Sequence, residues 1–93
     1  MATAEEVMQL LVRRIAGVMA VDPAHVAPDT RFDEDLHADS LDLVEVVEGV
    51  ERDLRGRGER MRLGDAELLE LRTVAQAAER IAGSSTVVDP EAR

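Results

Sequence analysis

The sequence predicts an all-α domain, a four-helix bundle of three longer helices and one short helix with a long first loop. Three observations lead there. At 93 residues the chain suffices for one domain with one modest core. Aromatic residues make up only 1% of it, so Val, Leu, Ile, Met and Ala must fill the interior around Phe32, the only ring, and such a core suits packed helices. Apolar residues also recur at spacings of three and four behind residues suited to cap helices.

Val7, Leu10, Leu11, Ile15, Val18 and Met19 fall on one face of a helix that Thr3 and Glu6 open as a capping box. That helix starts near residue 4 and stops around Ala20, where Asp22-Pro23 and Ala27-Pro28-Asp29 bring turn chemistry. Residues 21–38 make a long connection in which Val21, Val26, Phe32 and Leu36 are spaced as anchors into the core. Those anchors predict an ordered loop, and structureless loops of such length are uncommon in compact domains.

Asp39 is suited to cap the second helix, with Asp42 three positions on completing an acidic capping pattern. Val46, Val47, Val50 and Leu54 share one face of it, while Asp42, Glu45, Glu48 and Glu51 mark another. Its β-branched valines and Gly49 lower helix propensity, so this helix depends on tertiary packing. Residues 55–62, with two glycines and four arginines, read as a flexible basic loop. A short helix over 64–71 is capped by Asp65. The last helix follows from a Thr73 cap, with Val74, Ala77, Ala78 and Ile81 facing inward. Residues 1–83 thus form the domain, and 84–93, with little to bury, a flexible C-terminal tail.

Charge and composition narrow the function. The net charge is −9, and residues 55–93 balance at zero, so all of it lies before them. Residues 29–53 hold ten acids against Arg31 and Arg52, a local charge of −8. That field opposes nucleic acid and anionic membranes and favours basic protein partners. The absence of cysteine excludes disulfides, thiolate metal sites and thiol nucleophiles, and the absence of lysine excludes Schiff-base chemistry. No apolar run approaches the roughly 20 residues of a membrane span, and the N-terminus lacks the pattern of a secretory signal, so a cytoplasmic monomer is expected. Asp29, Asp33, Glu34, Asp35 and Asp39 lack the alternating ligands and central glycine of a calcium loop, so no dedicated metal site is expected.

The stretch DLHADSLDLVEVVEGVE, residues 35–51, holds one serine among carboxylates. With Asp39 as the cap, Ser40 stands at the first helical position, exposed and rigidly placed. A helix N-terminus there favours a phosphate group, although the neighbouring carboxylates oppose it. A hydrolase built from His37, Asp39 and Ser40 is not expected. Residues so close in sequence rarely reach the geometry of nucleophile, base and orienter, and no oxyanion-hole motif accompanies them. His37 reads as a surface residue beside Ser40.

This stretch resembles the phosphopantetheine attachment segment of the acyl carrier protein family, in which an Asp-Ser-Leu triplet opens the second of four helices. The likeness covers about residues 4–82. It runs without gaps from Val7 through Leu54 and resumes at ELRTVAQAAERI. The resemblance implies a carrier rather than an enzyme. Ser40 would be loaded with 4′-phosphopantetheine from coenzyme A by a phosphopantetheinyl transferase, and the terminal thiol would hold an acyl chain as a thioester. Asp39 would flank the loaded serine, and Leu41 and Val44 would form an apolar patch met by partners. Asp42, Glu45, Glu48 and Glu51 would meet basic residues of acyl transferases, ketosynthases or other biosynthetic enzymes, raising association rate more than affinity.

The chain also departs from the family pattern. His37 stands where fatty-acid members have Gly, Glu48 where they often have an apolar residue, and the loop before the third helix is longer and carries Arg55, Arg57, Arg60 and Arg62. These departures point away from housekeeping fatty-acid synthesis and toward a secondary-metabolite pathway, such as a dissociated polyketide synthase. Two alternatives stand beside this reading: an aminoacyl or peptidyl carrier of nonribosomal peptide assembly, and an acidic helical adaptor that is never modified.

Overall fold

Thr3 and Glu6 form the expected reciprocal cap. The Thr3 hydroxyl accepts from the Glu6 N–H at 3.1 Å, and the Glu6 carboxylate accepts from the Thr3 N–H at 3.2 Å. From this cap, in a computed structural model that describes residues 2–61 and 63–87, helix α1 runs over Ala4–Met19. It ends at Ala20, whose φ of 55° is left-handed, so the chain turns without a glycine. Helix α2 spans Ser40–Gly56, helix α3 only Asp65–Leu68, and helix α4 Val74–Ser84. The all-α four-helix class is therefore the observed one, with three longer helices and one short.

The core lies between α1 and its two neighbours, α2 and α4. Val7, Leu10, Leu11 and Ile15 of α1 meet Val46, Val47, Val50 and Leu54 of α2 and Val74, Ala77, Ala78 and Ile81 of α4, all with at most 2% exposure. An interior of this kind derives its stability from apolar area removed from water, at about 25 cal/mol per Å². Three of the four low-propensity valines of α2, Val46, Val47 and Val50, are on the buried side, where packing offsets their propensity cost.

The long connection is ordered by backbone bonds as well as by its anchors. Asp22 caps a short 3-10 turn over Pro23–His25 by accepting from the Ala24 N–H. Val26 and Phe32 are buried, and Val21 and Leu36 pack against the core as half-buried neighbours. The loop is then tied to the start of α4: the Phe32 N–H donates to the Arg72 carbonyl at 2.9 Å, and the Val74 N–H donates to the Thr30 carbonyl at 3.0 Å. These bonds fix where the chain enters α2.

Three expectations differ from the structure. Asp65 does not cap α3: it is the first helical residue, and the N-cap is Gly64, which has no side chain to accept a bond, so the helix lasts barely one turn rather than extending over 64–71. Residues 55–62 are not simply a loop. Helix α2 continues through Gly56, Gly58 takes a left-handed turn (φ 78°), and Glu59–Arg60 form a two-residue strand, β1, while Arg62 lies outside the described residues. Strand β1 pairs antiparallel with β2, Thr86–Val87, in the segment read as tail. Ser85 before it is 1% exposed, its hydroxyl donating to the Ala82 carbonyl, and the remainder of that segment, 88–93, lies outside the described residues.

Candidate functional site

The chain has three serines, and their environments separate them. Ser84 and Ser85 donate their hydroxyls to helix carbonyls, at 3.0 Å to Ile81 and 3.2 Å to Ala82. Ser40 is exposed, and its hydroxyl makes no hydrogen bond among the described residues. It stands at the first position of α2, as the sequence predicts.

The residues around it fix the backbone while leaving that hydroxyl free. Asp39 is extended (φ −86°, ψ −178°) and its carboxylate accepts from the Asp42 N–H at 2.8 Å. The Asp42 carboxylate accepts from the Asp39 N–H at 3.1 Å, so the two acids clasp the helix start from either side of Ser40. Upstream, a tight turn sets the approach: His37 donates its N–H to the Asp33 carbonyl and Ala38 to the Phe32 carbonyl at 2.7 Å. His37 is left-handed there, φ 53°, a conformation that glycine takes freely and that costs another residue about 1 kcal/mol. The side chain at 37 is exposed, as expected.

Two shallow grooves meet at Ser40. One, of about 180 Å3, has an apolar wall of Phe32, Leu43, Leu69 and Leu71 and a charged rim of Asp33, Asp39 and Arg72. The other, of about 210 Å3, is formed by Leu41, Val44, Leu68 and Leu69, with Asp65 at its edge. Leu69 is the wall shared by both, and with 61% exposure it joins Leu41, at 74%, as the two large apolar side chains left open to solvent among the described residues.

The electrostatics here are acidic and internally braced. Arg31 forks onto Asp33 at 3.1 and 3.2 Å; this pair, with the Glu34 N–H, holds the Asp33 carboxyl down to about 2, ionised at neutral pH. Asp35 accepts from the Arg31 N–H at 2.8 Å. The acids that suggested a calcium loop are thus largely bound to the chain itself, and no group of three or more His, Asp or Glu residues is gathered around a cation position among the described residues.

Along α2 the acidic side chains are not equivalent. Glu45 and Glu48 are exposed, Asp42 is spent on the cap, and Glu51 is half-buried and paired with Arg55 at 3.3 Å. Val44 is half-buried at the groove beside Leu41.

Sequence reading brought Asp39, Ser40, Leu41, Asp42 and Val44 to this end of the molecule, and the structure gathers them there. It missed Phe32, Leu69, Leu71 and Arg72 as lining. A signal for Leu69 was present: Leu68, Leu69 and Leu71 lie within four residues around a one-turn helix, too close in sequence to share one buried face. Leu68 and Leu71 are at 6% and 5% exposure, which leaves Leu69 outside.

Against this geometry, comparisons with known proteins agree with one another. The family described as "Phosphopantetheine attachment site" matches residues 9–81. An acyl carrier protein of Rubrobacter xylanophilus is 34% identical over 82 residues, covering 88% of this chain and 95% of the relative. An acyl carrier protein of Thermosynechococcus vestitus is 35% identical over 69 residues, covering 74% of this chain and 79% of the relative. A clasped helix start with an unbonded serine therefore belongs to a chain of known kind: the protein is a member of the acyl carrier family, whose members are not enzymes but carriers of a covalently attached 4′-phosphopantetheine.

Proposed function

We propose that Ser40 is the attachment residue and that the loaded chain presents acyl groups to the enzymes of a biosynthetic pathway of polyketide or fatty-acid type. The observation that carries this reading is the contrast among the three serines, of which Ser40 alone is exposed, rigidly held and without an internal hydrogen bond. The residues fit the group. Its phosphate suits a helix N-terminus, and its amide-bearing arm suits grooves that are partly polar and partly apolar. When bound, phosphopantetheine supplies the thiol on which an acyl chain is held as a thioester.

This chain's own residues then do three things. Asp39 and Asp42 lock the helix start so that the Ser40 hydroxyl points into solvent, within reach of a phosphopantetheinyl transferase. Leu41, Val44 and Leu69 offer apolar surface at the same end. Glu45 and Glu48, exposed and without an ion pair among the described residues, supply the field that steers basic docking surfaces of acyl transferases, ketosynthases or similar enzymes. Asp42 and Glu51 contribute charge to that face while bound within the helix.

A dedicated secondary-metabolite pathway is favoured over housekeeping fatty-acid synthesis. His37 in a left-handed turn, Glu48 on the docking face and the arginine-bearing segment after α2 are the residues that support this. The acidic surface suits neither nucleic acid nor an anionic membrane, and no helix among the described residues is long and apolar enough to cross a bilayer. A cytoplasmic monomer agrees with that surface.

The test is intact-mass spectrometry after incubation with coenzyme A, magnesium and a broad-specificity phosphopantetheinyl transferase. The expected outcome is one added phosphopantetheine on the parent and none on Ser40→Ala. Mass gain on Ser40→Ala would move the attachment elsewhere, and no gain on the folded parent would favour an unmodified adaptor.

A further inference from the structure

The groove between Ser40 and the segment that leads into α4 contains one cation whose role the attachment reading leaves open. Arg72 lines it together with Asp33, Asp39 and Ser40, and among the described residues it is the only positively charged one that does so. Its backbone is held at both polar atoms, the carbonyl accepting from the Phe32 N–H at 2.9 Å and the N–H donating to the Gln76 side chain at 2.8 Å. Its guanidinium is exposed and forms no ion pair among the described residues. That is unexpected beside two carboxylates in a chain of net charge −9. Both acids have other partners: Asp33 is forked by Arg31, and Asp39 is clasped to the Asp42 N–H.

A phosphodiester joined to the Ser40 oxygen is a permanent anion at neutral pH. At that position it faces the like charges of Asp33, Asp39 and Asp42, and the partial positive charge of the α2 N-terminus offsets them only in part. A guanidinium is planar, always charged and shaped to donate two parallel N–H bonds to a phosphate. We infer that Arg72 is the counter-charge for the phosphodiester on Ser40, held in the groove between the start of α2 and the start of α4. The free arginine is then a preformed half of an ion pair that loading completes. The pair also biases the arm toward the Phe32, Leu69 and Leu71 side of the serine rather than toward Leu41 and Val44. This inference rests on Ser40 being the attachment residue.

The experiment compares apo and loaded forms of the parent, Arg72→Gln and Arg72→Lys, with loading verified by mass. Arg13→Gln, which alters another exposed arginine remote from Ser40's groove, is the control. Two quantities are read, the change in Tm on loading at low and high salt, and the Arg72 Nε–H resonance before and after loading. In the parent, loading is expected to shift Tm upward relative to the shift in Arg72→Gln by about 2–4 °C at low salt. Arg72→Lys retains part of that difference, Arg13→Gln all of it, and 1 M salt, at about a 3 Å screening length, erases it. The Nε–H resonance moves on loading. Equal Tm shifts in parent and Arg72→Gln, with an unmoved Nε–H resonance on protein whose Ser40 carries the added mass, would overturn the inference and leave the attachment reading intact. A parent that takes up no mass at Ser40 overturns both, and the mass spectrum tells the two failures apart.

Discussion

Helix α2 has two unlike sides. Against α1 it is sealed: Val46, Val47, Val50 and Leu54 are at 1% exposure or less, and across the seam Arg14 forks onto Asp53 at 2.9 and 2.7 Å. Gly49 belongs to this seal. A Cβ at that position would stand 2.6 Å from the Arg14 Cδ, so glycine is what lets the arginine cross α2 to reach Asp53. Toward α3 the same helix is open. Its neighbour is one turn long with no side-chain cap, and the space between is occupied by two grooves and by the exposed Leu41 and Leu69. The sealed side holds Ser40's helix in position, and the open side is where a partner or a tethered chain has room. With attachment at Ser40, as proposed, a carrier needs both, because the attachment point must be fixed while its surroundings accept different visitors.

The largest expected effect lies on the sealed side. Leu54 is fully buried, and Leu54→Ala removes three heavy atoms from a core that collapses only partly around the gap. It should cost about 2–5 kcal/mol in chemical denaturation, which is a large fraction of the stability of a domain this small. Folded Leu54→Ala should still accept phosphopantetheine, since nothing at Ser40 changes. A cost below about 1 kcal/mol would mean that the α1 seam is as pliable as the α3 side.

The Arg14–Asp53 fork comes next. Arg14 lowers the Asp53 carboxyl pKa from its usual 3.8, by hydrogen bonding first and charge second. A carboxyl depressed in the folded state adds stability that is fully present above its unfolded value near 4, and loses it as pH falls through the lower folded value. Asp53→Asn should therefore cost about 1–2 kcal/mol at pH 7. The difference between parent and variant should shrink as pH drops below about 4. Thermal denaturation between pH 7 and pH 2 reads this directly, and a gap independent of pH would show that the fork contributes packing rather than charge.

What was legible in the sequence was mostly local. Thr3, Asp39 and Thr73 cap their helices by bonds that span three residues, so residue type and spacing suffice to find them. The valine stripe follows from periodicity alone. What escaped was non-local or depended on an unusual backbone. Strands β1 and β2 are two residues each and more than twenty apart in sequence, too short to alternate and with nothing local to mark them. Gly49 read as a weak point in α2 because its reason is a side chain on another helix. Arg72 and Phe32 entered the Ser40 groove only once the long loop was pinned to the start of α4.

The smallest stability effect, and the most direct reading of the open side, belongs to Leu69→Ala. Leu69 is 61% exposed, so truncation leaves little cavity and removes little buried area; the change in stability should stay within about 0.5 kcal/mol. Yet Leu69 is the wall common to both grooves, and with Leu41 it is the exposed large apolar surface lining them among the described residues. An apolar anchor buried at the centre of a docked interface is the kind of residue whose truncation costs more than about 1 kcal/mol, and Leu69 is placed to be one. Loading of Leu69→Ala by the transferase should therefore lose about fivefold to tenfold in kcat/KM while its denaturation curve overlays that of the parent. If Leu69→Ala unfolds as readily as Leu54→Ala, the α3 side is core and the contrast across α2 fails. If both stability and loading are unchanged, docking uses Leu41 and the acidic residues alone, and the wall between the grooves matters only to the arm.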